Sequence, residues 1–82
     1  MKSEKELFRL AKDMVFIEDN MRDERTSEWV KDELKEEAAK ISNVLLAKNY
    51  DVNTFLYYKD LYREMTIAEY YEFMDSLDEG EE

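Results

Sequence analysis

Apolar side chains in the first quarter of the chain recur at steps of three and four: Leu7, Leu10, Met14, Ile17 and Met21. That spacing places them on one face of a helix. Ser3 and Glu6 precede the stripe in the order of a capping box, in which each side chain satisfies a free backbone N–H of the first turn. Glu18 and Arg22 stand four apart, a favourable pair. The polar run RDERTS, residues 22–27, interrupts the pattern and predicts a break. If the helix continued through 23–27 instead, the first half would be one long rod that must dimerise to cover its stripe.

A second stripe follows at Val30, Leu34, Ala38, Ile41 and Leu45, with Thr26 or Ser27 as cap and Glu36 and Lys40 paired on the outside. Asn49 is the expected stop, because asparagine tolerates the left-handed conformation that ends helices. Asp51 or Asn53 then caps a third helix with Phe55, Tyr58, Tyr62 and Met65 inward; with Asp51 as cap, Tyr50 and Phe55 take the positions of a hydrophobic staple. Thr66 and Glu69 repeat the capping box, Met65 and Tyr70 repeat the staple, and a fourth helix is predicted to bury Ile67, Tyr70, Met74 and Leu77.

There is no proline and one glycine, Gly80, so nothing punctuates the chain as hairpins require. The expected fold is all-α: a compact antiparallel bundle of two longer and two shorter helices spanning residues 1–78, with residues 79–82 a frayed acidic tail. The last helix breaks a local rule. Asp75, Asp78 and Glu79 crowd its C-terminal end, where the backbone dipole favours cations. Such violations are expected where function overrides stability.

Composition narrows the chemistry. With neither cysteine nor histidine among 82 residues, the commonest zinc ligands, the usual general base and the thiol nucleophile are all missing. One glycine cannot build a phosphate-cradling loop. The expectation is a protein that is not an enzyme and that uses no cofactor and no metal. The charged start MKSEKELF has no apolar stretch like a signal peptide, and no run approaches the ~20 apolar residues that span a bilayer; a cytoplasmic location is expected.

Charge adds the strongest asymmetry. Residues 1–48 carry 10 basic and 12 acidic side chains, a balance of −2, whereas residues 49–82 carry 2 and 10, a balance of −8, giving the net −10. The acidic part also holds all six tyrosines. Such a surface repels nucleic acid and anionic membranes and attracts basic proteins. At 100° per residue, Phe16, Trp29, Leu56, Tyr57 and Tyr71 fall off the inward stripes. Phe16 and Trp29 can still be read as packing onto neighbouring helices.

Tyrosine is enriched among interface hot spots, so the candidate binding set is Leu56, Tyr57, Asp60, Glu64, Glu69, Tyr71, Glu72 and Asp75. The function expected is a small acidic inhibitor that occupies the nucleic-acid groove of a basic protein, possible nucleases included, as phage-encoded anti-CRISPR and anti-restriction proteins do. The alternatives are a helical homodimer serving as a structural or assembly module, and a small regulator that binds a protein without mimicking nucleic acid. The segment LYYK, Leu56–Lys59, looks like the paired tyrosines on the third helix of colicin immunity proteins, which implies a nuclease toxin as partner; that family's proline after the pair is Lys59 here, and the chain is not assigned to it.

Overall fold

The computed structural model describes residues 3–79, apart from the side chains of Asp78 and Glu79. The described residues form four helices: α1 (Glu4–Arg22), α2 (Glu28–Ala47), α3 (Val52–Glu64) and α4 (Ile67–Glu79). They are 19, 20, 13 and 13 residues long. Of the predicted tail, Glu79 is helical and the remainder lies outside the described residues.

The breaks are set by local chemistry. At Asp23 the backbone turns extended. The Asp23 carboxylate accepts from the Arg25 amide at 2.9 Å, and its carbonyl accepts from the Thr26 amide at 3.1 Å. Aspartate competes with the helix for backbone donors in this way, so the chain breaks at 23–27 and no continuous rod forms. Ser27 occupies the cap position of α2, but its side chain makes no capping bond.

Asn49 adopts φ 54°. The amide of Tyr50 reaches the Leu45 carbonyl at 2.9 Å and that of Asn49 reaches Leu46 at 3.2 Å, the bond pattern of a Schellman ending. Asp51 caps α3, accepting from the Asn53 amide and from the Thr54 hydroxyl. Its flanking Tyr50 and Phe55 are both buried, as a staple requires. The Thr66–Glu69 box is complete, with bonds of 2.9 and 3.2 Å.

The bundle alternates direction, with α1 as its hub; every extensive helix contact is made with α1. Glu6 at the start of α1 meets Lys48 beyond the end of α2. Ser3 meets Tyr50 just before α3, and Asp19 meets Arg63 at its end, so α3 runs parallel to α1. Phe8 meets Phe73 midway along α4, while Lys12 lies over the Tyr70 ring nearer its start, so α4 runs back.

A hub must be apolar on two sides, and this corrects the single stripe expected for the first helix. Leu7 and Ile17 are buried as expected, but Phe8, Ala11 and Val15 are buried too. Phe8 is fully enclosed, with ring centroids of Phe73, Tyr58, Tyr70 and Tyr62 at 4.8, 5.4, 5.8 and 6.2 Å. Aromatic pairs of this kind contribute about 0.5–1.5 kcal/mol each beyond area burial.

This ring cluster also sets the rotation of α4. Phe73 turns inward beside Tyr70, Met74 and Leu77, and Ile67, expected to be buried, is 76% exposed. Three polar expectations change as well. Glu18 bonds Lys59 and Arg63 instead of Arg22, and Lys40 pairs with Glu37 instead of Glu36. The Ser3 hydroxyl accepts from the Glu6 amide, but the Glu6 carboxylate turns to Lys48 and Tyr50, and the Tyr50 hydroxyl takes the Ser3 amide at 2.9 Å.

Candidate protein-binding face

On α3, the side chains Phe55, Tyr58 and Tyr62 point to α1. Helical spacing then places Tyr57, Asp60 and Glu64, at i, i+3 and i+7, on the opposite arc. All three are exposed, Tyr57 by 61%. On α4, Tyr70 and Phe73 point to Phe8, and Tyr71, Glu72 and Asp75 face out, Tyr71 being 62% exposed. Each short helix therefore presents one tyrosine ring and two carboxylates. The exposed rings are braced from below: Tyr57 leans on Tyr58 at 5.8 Å between centroids, and Tyr71 meets Tyr70 edge-on at 5.3 Å.

Two of the eight candidates stand apart from this layer. Leu56 is exposed, but it shares a stripe with Lys59 and Arg63 and so borders the cations. Glu69 is exposed, yet its carboxylate holds the Thr66 amide, and that bond keeps its pKa below the ordinary glutamate value. Its first role is to start α4.

The tyrosine cluster is mostly interior. Tyr50 and Tyr58 are buried, and Tyr62 and Tyr70 are half-buried. The Tyr58 hydroxyl donates to Glu4 at 2.6 Å; burial first, and then that anionic acceptor, push its pKa up to about 12. Only Tyr57 and Tyr71 are available to a partner. In the dyad 57–58 the first ring faces out, in 70–71 the second, so the two dyads are not equivalent.

The electrostatics of the layer depend on where the cations go. Lys59 and Arg63 are the two basic residues after residue 48, and both point at α1. Lys59 bonds Glu18, and Arg63 forks between Glu18 at 2.8 Å and Asp19 at 3.0 Å. Burial acts to raise the Glu18 pKa, but the two cations outweigh it and the net shift is downward. No ion pair among the described residues involves Asp60, Glu64, Glu72 or Asp75. Their charge is turned to solvent without compensation.

Exposed Leu46, Val52 and Ile67 lie outside the candidate set, and Phe16 and Trp29 are exposed by 63% and 66%, with neither packed into a neighbouring helix core. Among the described residues no helix is long and apolar enough to cross a membrane, and no carboxylate cluster is arranged to hold a metal ion. The chain matches no family model, no curated protein and no solved structure.

Proposed function

We propose that this chain is a cytoplasmic inhibitor of phage type, in the manner of anti-CRISPR or anti-restriction proteins, that covers the nucleic-acid groove of a basic protein with the outer faces of α3 and α4. It acts by binding and not by catalysis. The observation that carries this reading is the inward capture of Lys59 and Arg63 by Glu18 and Asp19, which leaves Asp60, Glu64, Glu72 and Asp75 unneutralised beside Tyr57 and Tyr71. Carboxylates three or four apart on a helix sit at neighbouring positions about 5–6 Å from one another, a row of anions that a phosphate-binding groove can accept. Long-range attraction speeds the encounter, and the two rings supply desolvated anchors.

The test is capture from host-cell extract at low and high salt, followed by titration of the captured protein. Affinity should fall steeply with salt, because exposed charges are screened over a Debye length of ~10 Å at 0.1 M, and nucleic acid should compete. A triple variant, Asp60→Lys with Glu72→Lys and Asp75→Lys, should lose binding while its circular dichroism stays helical. Retained affinity in that variant rejects the reading. Tyr57→Ala should add a loss that salt does not change.

A further inference from the structure

We infer that a second copy of this chain docks on the α1–α2 face, pairing the long helices of two molecules about a two-fold axis and leaving both acidic α3–α4 faces outward.

The first observation is the poor coverage of α2. Of its 20 residues only Ile41 and Leu45 are buried, and its extensive packing is with α1 alone. Between the two helices runs an open groove of about 370 Å³, whose floor is Leu10, Ile17, Leu34, Ile41 and Val44. Phe16 stands on its α1 rim, and Trp29 lies in the first turn of α2; both rings are largely exposed. A 20-residue helix is about 30 Å long, and two side by side are about 20 Å wide. That face is of the order of the ~800 Å² per partner in a standard interface.

Charge selects the occupant. A basic partner has no reason to choose this face, since residues 1–48 balance at −2 and the rims carry both signs: Asp13 on α1, and Glu37 with Lys40 on α2. A second copy has every reason to choose it. Any approach through residues 49–82 brings −8 against −8, whereas the α1–α2 face is nearly neutral. An isologous contact places the same patch on both sides. With the axis along the groove, the α1 rim of one copy lies over the α2 rim of the other, bringing Asp13 toward Lys40 and Phe16 toward the α2 rim.

Trp29, the chain's one tryptophan, is a built-in reporter. Sedimentation equilibrium from micromolar to millimolar concentration should show the mass rise from 10.0 kDa to twice that value. Added salt should promote association by screening the net charge. Over the same range Trp29 should become protected from acrylamide. Phe16→Glu changes an exposed residue, so the helical spectrum should persist while dimerisation weakens at least tenfold and Trp29 stays accessible at every concentration. Leu46→Glu, two residues from Val44 and so on the far side of α2, should leave the dimer intact. A mass of 10.0 kDa throughout overturns the inference, whether the face is idle or belongs to a different partner. So does a dimer that Phe16→Glu leaves unchanged.

Discussion

The hydroxyl of Tyr50 donates to the carboxylate of Glu6, 44 residues earlier in the chain, and accepts the Ser3 amide at 2.9 Å. One phenol thus completes the N-terminal cap of α1 and, with Lys48, ties it to the α2–α3 corner.

Tyr50→Phe removes that acceptor and donor together. The expected loss is about 1–2 kcal/mol, since the bonds of this hydroxyl to the Ser3 amide and to the Glu6 carboxylate are lost together, which lowers the melting temperature by on the order of 10 °C for a domain of this size. A thermal melt superimposable on the parent's would contradict this role.

The acid response follows from Glu6 and Glu18. The Lys48 bond, then the Tyr50 bond, hold the Glu6 pKa below its ordinary 4.5; at Glu18 burial pushes upward, but Lys59 and Arg63 prevail and the net shift is also downward. A carboxyl with a depressed folded pKa stabilises the fold fully above its unfolded value and loses that contribution as pH falls through the folded one. Mutual repulsion of the other acids works in the opposite sense, but it is nearly common to parent and variant. The stability gap between the parent and a Glu6→Gln, Glu18→Gln double variant should therefore close below pH 4.5. Urea midpoints measured against pH test this, and a gap that stays constant refutes it.

At the alkaline end the sign reverses. Tyr58 titrates near 12 in the fold against an ordinary 10.0, so its contribution is complete below pH 10 and fades as pH rises toward 12. Tyr58→Phe should flatten that limb of the urea profile; an unaltered limb would show that neither the burial of this phenol nor its Glu4 bond governs the alkaline response.

Phe8→Ala should be the most damaging single truncation considered, about 3–5 kcal/mol, which approaches the whole stability of a small domain. Phe16→Ala, on an exposed ring of the same helix, should change the stability of the monomer, measured at dilute concentration, by less than ~0.5 kcal/mol. Denaturant midpoints of the two variants decide it, and equal losses would place Phe8 outside the core.

Glu69 separates folding from binding. Glu69→Lys should lower the melting temperature by opening the Thr66 box and leave partner affinity nearly unchanged, whereas Glu72→Lys should do the reverse. Melting and titration of both variants are the check; matched effects on affinity would put Glu69 back in the contact layer.

The elements and their ends were legible in the sequence because they depend on neighbours a few positions apart. Asp51, Thr66 with Glu69, and Asn49 act within one turn of backbone, and the Tyr50–Phe55 staple spans five residues. The exposure of Tyr57, Asp60, Glu64, Tyr71, Glu72 and Asp75 followed from the same periodicity. What a linear pattern could not reveal was which helix would be surrounded. Once α1 became the hub, Phe8 needed a pocket of rings, Phe73 turned in to supply part of it, and Ile67 turned out. The destinations of Lys59 and Arg63 were likewise decided at a distance, by Glu18 and Asp19 more than forty residues away. Short-range hydrogen bonding determines where helices begin and end; close packing and the pairing of opposite charges between helices, which act only between chain segments already brought together, decide which way each helix faces.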